Sequence, residues 1–539
     1  MNTANFQRTR TSSRKVHAYR RGLFCVCCTW RSLGGNLYKG KHWNGCTPFL
    51  YFMKNNIIKI YIFILLCMPS SLFADNWASK GSYDISWYKK TQSEFQITTA
   101  QELAGMAYLV NNNYTSFEGC IIKLNADINL QGKTWIPIGV SNIIFKGTFD
   151  GNGHSINNVS IDNGDNYYSC GFWSELKNAT LQNFKIKGTL SCKNNTAGFI
   201  SGAANNTVFK DISIDSDIRF KRTDVSTDTE FVFKYNIGGC VGRSENCTFN
   251  SIKNTSNIEF IFGSSDGRNC YGRIELYAGG IVGLGKTNIY NGCQTSNNCK
   301  VGINGYVTDS YYSNPGAGCV YYGGIVGYDR GGTTTVTSCL SKVEKFEGTH
   351  YNGIYDTVNF YYGGIIGLMD PYGYGATLNN CVAITSNYSI TGHSYSWVAS
   401  WYHTNSCFGG ITSKTPKNIK GCFSNNDALR TVKKVSYNDI GECGSTSYSK
   451  EEMRTKDFVS ELNFYTKLEY DKDMWGLDDY GNLVLLLKEE TTGIANAVHS
   501  NNSNDIVAIY DLKGNKTDHI QKGFNIIIYR SGKVKKIVK

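Results

Sequence analysis

A short glycine-rich motif recurs along most of this chain. It reads Gly-Gly-Ile-Val-Gly at residues 279–283 and 323–327, and near-copies precede and follow these two. Successive copies are 40 to 46 residues apart, and their second glycines are Gly239, Gly280, Gly324, Gly364 and Gly410. Self-similarity at a near-fixed period predicts a stack of repeats, in which no repeat buries its apolar face alone.

The residues of the motif favour short strands joined by tight corners. A glycine pair permits a corner that a Cβ would obstruct, and the following Ile-Val supplies a short strand. The chain has 57 Gly, 36 Tyr and 27 Phe but only 6 Pro, a mix typical of all-β architecture. Because 40 to 46 residues is long for one coil of a solenoid, we expect two coils of roughly 20 to 23 residues per repeat.

The basic charge of the chain is confined to its first part. The formal net charge is +12, but residues 1–74 hold eleven Lys and Arg and no acid, so the remainder carries +1. A nearly neutral body lacks the electrostatic footprint of a nucleic-acid-binding protein. We therefore expect no nucleic-acid partner.

Residues 53–74 have the pattern of a secretory signal peptide. Two lysines precede the apolar run Ile60–Met68, and Ala74 stands at a suitable cleavage point. Cys67 offers lipid attachment as an alternative, although the Leu before it fits such a site poorly. We interpret residues 1–52 as an upstream extension of the reading frame or a disordered leader.

An amphipathic helix is predicted within residues 75–118, before the repeats begin. Thr99 and Glu102 match a capping box, in which each side chain bonds the other residue's amide. Apolar residues follow at helical spacing, and the run 111–113 of three Asn ends the pattern. Such a helix can cover the open edge of the first coil.

A family resemblance emerges when these features are combined. The predicted helix, the Trp-Ile-Pro-Ile-Gly step at 135–139, the Phe-Asp-Gly-Asn-Gly-His turn at 149–154 and the repeated motif resemble the GLUG-repeat family of bacterial secreted and surface proteins. The resemblance covers about residues 95–488. It implies a right-handed parallel β-helix over residues 119–445, with an adhesin-like role.

The end of the chain predicts two further units. Residues 446–490 carry a second capping-box pattern from Ser449 to Glu452, then a helix that Thr455 can cap, as in the C-terminal caps of that family. Residues 491–539 contain three β runs and resemble the sorting domains of type IX secretion. That resemblance implies the cell surface of a Gram-negative bacterium, with outer-membrane attachment.

A cysteine follows each glycine motif, and successive members of this series are 41 to 46 residues apart. Two coils per repeat would place successive members roughly 10 Å apart, beyond disulfide reach. A buried stack of free thiols is the plainer interpretation, and a disulfide ladder or a metal site is the alternative. Cys270, midway between two members, is the best candidate for a bridge. The series is Cys247, Cys293, Cys339, Cys381 and Cys422.

Catalytic motifs are scarce in the sequence. It contains no His-Glu-x-x-His, no Gly-x-Ser-x-Gly and no phosphate-binding loop. Asp150 and His154 are the nearest match to a glycan-cleaving pair, but they lie in a glycine turn that favours a hydrogen-bonded corner. The segment 162–166 can ligate calcium or form an Asx turn. We expect no cofactor and no metal.

Aromatic residues before the glycine pairs are the better candidates for binding. Since adjacent strand positions face opposite sides, one of the two series must point outward. An outward stripe, with an aromatic insertion near residue 400, would suit a glycan or a protein partner, and simple stacking between coils is the alternative. The candidates are Tyr277, Tyr321, Tyr322, Tyr361, Tyr362, Trp397, Trp401 and Tyr402.

Taken together, these patterns predict a secreted or surface-displayed β-helix that binds a glycan or a surface protein without catalysis. A carbohydrate-active enzyme on the same fold, either a polysaccharide lyase or a glycoside hydrolase, is the first alternative. A structural fibre component that binds nothing specific is the second.

Overall fold

The chain folds into an all-β, parallel β-helix-like solenoid. In the computed structural model, three parallel sheets run the length of the stack, here named sheet A, sheet B and sheet C. The structure describes residues 76–140, 144–163, 169–193, 195–222, 232–263, 273–304, 318–351, 358–370, 376–392, 404–413, 418–433, 436–439, 446–470, 473–486, 506–511, 516–517, 524–529 and 534–538. The leader and signal-peptide segments predicted for residues 1–74 lie outside them.

One coil visits the three sheets in a fixed order. Gly318–Gly323 belongs to sheet C, Val326–Asp329 to sheet B, and Thr335–Thr337 with Leu340–Tyr351 to sheet A. The path then returns to sheet C for the next coil at Val358–Gly363. Each strand pairs in parallel with the equivalent strand of the next coil.

The expected two coils per repeat are wrong, because each repeat forms a single coil. Gly279 is the register partner of Gly323, and Gly323 is the partner of Gly363. Equivalent positions in successive repeats are therefore neighbours in one sheet, about 4.8 Å apart. A repeat such as 318–351 contributes one strand to sheet C, one to sheet B and two to sheet A, and these four strands account for its length.

Sheets B and C meet at the glycine motif. In the described residues sheet C has eight strands and sheet B has six. The strands of sheet C are Ser169–Cys170, Thr196–Gly198, Val232–Gly238, Arg273–Gly279, Gly318–Gly323, Val358–Gly363, Thr404–Gly409 and Ser436–Asp439. Those of sheet B are Trp173–Lys177, Ser201–Asn205, Val241–Glu245, Val282–Lys286, Val326–Asp329 and Ile366–Met369.

Sheet A is the largest, with nineteen strands in the described part of the chain. Its strands are Glu94–Ile97, Ile121–Leu124, Ile128–Asn129, Thr148–Asp150, Ser155–Asn163, Thr180–Cys192, Val208–Arg222, Thr248–Asn254, Asn257–Phe262, Ile289–Asn291, Gln294–Asn304, Thr335–Thr337, Leu340–Tyr351, Thr377–Asn379, Val382–Thr391, Asn418–Lys420, Phe423–Asn425, Leu429–Lys433 and Thr446–Tyr448.

The core is a set of stacked columns, because each inward position meets the same position of the next coil. Phe209, Phe249 and Tyr290 form one such column, with ring centroids 4.8 and 5.0 Å apart. All three are completely buried. Burying one such aromatic side chain stabilises the fold by about 1.5–3 kcal/mol, and the stack repeats this contact along the solenoid.

The predicted N-terminal helix is present as α1, Ala100–Asn111. Its capping box is formed as expected: Glu102 N donates to Thr99 Oγ1, and Thr99 N donates to Glu102 Oε2. Leu103, Met106 and Val110 are buried against the first coils. The helix therefore continues the apolar core at the start of the stack.

A second helical unit follows the repeats and packs on Leu340, Val382 and Phe423, which are register partners on three successive coils of sheet A. A 3-10 turn, Glu452–Arg454, precedes α2, Lys456–Tyr470, and the two-stranded antiparallel sheet Trp475–Leu477 with Leu483–Leu485 follows. The predicted caps are present, since Glu452 N donates to Ser449 Oγ and Phe458 N donates to Thr455 Oγ1. No helix in the described part of the chain has the length and apolar character to span a bilayer.

The last described segment is a separate antiparallel sheet. Its strands are Ile506–Asp511, Lys516–Thr517, Phe524–Tyr529 and Val534–Val538. Three of these coincide with the β runs predicted from the sequence, and the short pair Lys516–Thr517 is an addition.

Candidate binding face: a tyrosine ladder between two sheets

Three candidate tyrosines form a ladder on sheet C. Tyr277, Tyr321 and Tyr361 are register partners on successive coils. Their rings are stacked, with centroids 5.4 Å apart for the first pair and 5.0 Å for the second. In-register parallel pairing brings identical side chains together, so this order follows from having one coil per repeat.

A fourth tyrosine from sheet B completes the ladder. The ring centroid of Tyr328 lies 5.0 Å from Tyr277 and 5.7 Å from Tyr321. These four rings lie on the face of sheet C that is turned away from the core. The outer faces of sheets B and C therefore meet along this ladder, in a strip of surface here named the groove, with Leu284 and Leu368 as the register neighbours of Tyr328.

The last glycine of the motif lets the two sheets approach so closely. A Cβ on Gly327 would lie 2.6 Å from Ala278 N, a backbone atom of sheet C one coil away. Real Cβ atoms do not approach a backbone atom this closely, so any larger residue would push the sheets apart. The motif thus builds the base of the groove as well as the corner.

Charged groups lie at one end of the ladder. Tyr277 Oη donates to Glu275 Oε2 at 2.7 Å, and Lys234 Nζ lies 2.9 Å from the same oxygen. Burial, reinforced by the Glu275 carboxylate, raises the pKa of Tyr277. Burial likewise raises the pKa of Tyr321 and Tyr361. All three hydroxyls therefore keep their protons at neutral pH and remain donors.

The exposed parts of the ladder are ring edges and hydroxyls. Neighbouring rings cover the ring faces, so a sugar cannot stack flat on Tyr321. Tyr321, Tyr328 and Tyr361 remain partly exposed, whereas Tyr277 is only 8% exposed. The groove can offer hydrogen bonds and apolar edges to an extended ligand.

The second tyrosine series lies in the core. Tyr322 and Tyr362 are completely buried and pack on Phe346, a residue of sheet A. The prediction that both contact a ligand is wrong, because strand alternation turns them inward when Tyr321 and Tyr361 face out. Trp397, Trp401 and Tyr402 lie outside the described residues, between the strands Val382–Thr391 and Thr404–Gly409.

Sequence reasoning missed Tyr328, Leu284 and Leu368 as groove residues. Each directly follows the last glycine of its motif, at Gly327, Gly283 and Gly367 respectively. That shared position was a usable signal. It was missed because the sequence does not show that sheet B folds back beside sheet C.

Four of the five cysteines form an in-register column in sheet A. Cys293, Cys339, Cys381 and Cys422 stand opposite one another on successive coils. All four are buried and carry free thiols. The expected 10 Å spacing is wrong, because adjacent coils are about 4.8 Å apart, within the range that a disulfide can bridge.

Cys247 does not belong to this column. Its backbone N donates to Asn288 Oδ1, so Asn288 takes its place on the next coil. The two cysteine positions look alike because both follow a residue with positive φ, such as Asn246 (54°) and Gly292 (61°). Cys270 lies outside the described residues.

Asp150 and His154 do not form a pair. Asp150 accepts hydrogen bonds from Asn152 N, Gln182 Nε2 and Asn183 Nδ2 at 2.8 to 3.1 Å. The nearest carboxylate oxygen to His154 Nδ1 belongs to Asp127, at 3.4 Å. This is a hydrogen-bonded corner, and no hydrogen bond or ion pair joins the two candidates within the described residues.

Metal ligands do not converge in the described part of the chain: no three His, Cys, Asp or Glu side chains there are grouped to hold an ion. Of the proposed calcium segment, residues 164–166 lie outside the described part, and Asp162 is exposed on its strand.

No protein-family model matches this chain, and no curated protein matches it either. The likeness to GLUG repeats therefore rests on the quoted motifs alone. The solenoid architecture is established independently of that likeness, by the strand pairing.

Proposed function

We propose that this chain is a secreted or cell-surface scaffold, related to GLUG-repeat proteins, that acts as a non-catalytic adhesin. Its ligand is a glycan or a protein of a host or neighbouring cell, held along the outer groove between sheets B and C. Export through the segment 53–74, and attachment through the C-terminal β unit, complete the proposal.

The main support for this proposal is the position of the tyrosine ladder. It lies along the outer groove, and the packing of the core does not depend on it. Core columns such as Phe209 and Phe249 already hold neighbouring coils together. The ladder adds hydroxyl donors and apolar edges along three coils, a combination suited to an extended polar ligand. The proposal is for binding alone and assigns no catalytic role to carboxylates.

Binding by the intact protein to an array of glycans and extracellular proteins is the test. We expect the double variant Tyr321→Ser with Tyr361→Ser to lose at least tenfold in affinity for any ligand found. The matched control is Tyr480→Ser, because Tyr480 is 88% exposed and far from the groove in sequence. Control and wild type should bind equally.

Two outcomes would contradict the proposal. A correctly folded ladder variant that binds as well as wild type would exclude the groove as the contact surface. Failure of the wild-type protein to bind any member of the array would favour the structural-fibre alternative.

A further inference from the structure

A second candidate site lies between the solenoid and its C-terminal cap. The outer face of sheet A and the residues of the cap enclose a half-open cleft of about 290 Å³. Its solenoid wall includes Ser296, Lys342 and Ile384, which are register partners on three successive coils. Its cap wall includes Lys450 and Arg454. The tyrosine ladder contributes nothing to this cleft.

Lys342 lacks the close carboxylate partner that several other lysines of the solenoid have. Lys187, Lys286 and Lys300 each lie 2.7 to 3.1 Å from a carboxylate. Lys342 forms no ion pair with any described residue, although it is partly buried. An ammonium group that has no ion-pair partner at a partly desolvated position attracts an anion more strongly than one in open water.

Charged groups near Lys342 shift its pKa in opposite directions. Burial lowers the pKa of Lys342, and Arg454 and Lys253 act in the same direction. Asp478 and Glu344 oppose this shift. Both acids have other partners: Asp478 Oδ1 accepts from Asn482 N, and Glu344 Oε2 accepts from Ser386 Oγ. Neither acid forms an ion pair with Lys342, although Glu344 also lines the cleft and both carboxylates offset part of the positive charge there.

The cap residues are held in place by the turn that precedes α2. Lys450 N donates to Asp427 Oδ2 at 3.1 Å, which fixes the backbone, and the Lys450 ammonium group also interacts electrostatically with the Asp427 carboxylate. Arg454 Nη2 donates to Asn482 Oδ1 at 2.9 Å. Met453 between them is completely buried and anchors the turn. A pre-positioned guanidinium such as that of Arg454 binds an anion at a lower cost in side-chain ordering.

Polar and apolar groups accompany these cations. Ser296 and Asn482 contribute a hydroxyl and an amide, while Ile384 and Leu483 contribute apolar surface. A bare inorganic anion would leave the apolar set unused. The volume is close to the lower end of small-molecule pockets, roughly 300 Å³, which suits one sugar-sized ligand.

We propose that this cleft binds a carboxylate-bearing sugar residue, with its carboxylate between Lys342, Lys450 and Arg454. The sugar hydroxyls bond Ser296 and Asn482, and the apolar ring face lies on Ile384 and Leu483. The site is independent of the ladder, so either proposal can fail alone.

Calorimetric titration of the intact protein tests this site with three probes: glucuronate, neutral glucose and inorganic sulfate. We expect glucuronate to bind, with an affinity that falls as salt rises, and to bind at least tenfold more tightly than glucose or sulfate. Lys342→Met should weaken glucuronate binding at least tenfold, and Lys342→Arg should restore most of it. The control is Lys300→Met, a lysine of the same sheet that is already paired with Glu259.

Three results would overturn the proposal. Equal affinity for sulfate and glucuronate would reduce the cleft to a general anion site, and equal affinity for glucose would remove the role of the cations. Unchanged glucuronate binding in a Lys342→Met variant with a wild-type thermal midpoint would place any binding elsewhere.

Discussion

Gly279 and Gly323 are direct partners in adjacent parallel strands of sheet C, although a whole repeat separates them in the sequence. Beside them, Gly280 N donates to Gly323 O at 3.1 Å. This pairing fixes one coil per repeat. Because each repeat is one coil, equivalent side chains lie in register on successive coils, and this places the tyrosine ladder, the cysteine column and the stacked core.

The first prediction concerns the space at these glycines. A Cβ on Gly324 would collide with Ser341 Oγ and Gly364 O, whereas a Cβ on Gly302 would have its nearest neighbour at 3.5 Å. We expect Gly324→Ala to destabilise the fold by at least about 2 kcal/mol. Gly302→Ala should change stability by less than about 1 kcal/mol. Thermal unfolding followed by circular dichroism measures both; equal midpoints for the two variants would contradict the close packing at the corner.

The second prediction separates the two tyrosine series. Tyr362 is completely buried, and its hydroxyl lies 2.7 Å from Thr385 Oγ1, whereas Tyr361 is partly exposed in the groove. We expect Tyr362→Ala to cost about 3–5 kcal/mol, by leaving a cavity among aromatic rings. Tyr361→Ala should cost about 1 kcal/mol. Denaturant unfolding should rank the variants in this order, and the reverse order would mean that the inward and outward faces are assigned wrongly.

The third prediction concerns pH. Asp329 is completely buried, with Oδ1 bonded by Thr334 Oγ1 at 2.8 Å. Burial raises the pKa of this carboxyl from an ordinary 3.8 to about 7, and the Asp370 carboxylate adds to the effect. Since the folded state holds this proton more tightly than the unfolded state, the contribution of Asp329 to stability is greatest below about pH 4 and falls as pH rises towards 7. The loss is on the order of 4 kcal/mol.

Replacement by the neutral isostere checks this assignment. Asp329→Asn should remove the decline between pH 4 and 7, and it should raise the thermal midpoint relative to wild type above pH 7. Asp479→Asn serves as the control, because Asp479 is exposed. An unchanged pH profile in Asp329→Asn would show that this carboxyl does not cause the decline.

The fourth prediction concerns thiol reactivity. Cys339 is buried and burial raises its pKa, so it presents little thiolate to a reagent in water. Cys120 and Cys407 are partly exposed. We expect brief alkylation of the native protein, mapped by peptide mass spectrometry, to modify these two at least tenfold faster than Cys339. Comparable rates would indicate that the column opens readily or is not buried.

Some features were readable from local sequence. The glycine motif and its period predicted a repeat solenoid, and Thr99 with Glu102 predicted the start of α1, because corners and caps depend on residues close together in the chain. Ser449 and Thr455 predicted the caps of the second helical unit for the same reason. The buried, free state of the cysteines in the column matches the plainer of the two interpretations.

Other features required the tertiary structure. The sequence contains the period but not the number of turns within it, since a repeat of this length can close as one wide coil or two narrow ones. That ambiguity led to the wrong cysteine spacing and placed Cys247 in the wrong column. It also hid Tyr328 beside Tyr277, because the approach of sheet B to sheet C depends on contacts between different coils.

The sequence by itself therefore determined that the chain stacks repeated β units with glycine corners and helical ends, since these follow from the conformations that its residues allow locally. Only the tertiary structure decided which side chains face the groove, which thiols are neighbours, and that Lys342 meets Lys450 and Arg454 across a cleft. Those relationships depend on the register between coils and on how the cap sits on sheet A, and neither is encoded in any single stretch of sequence.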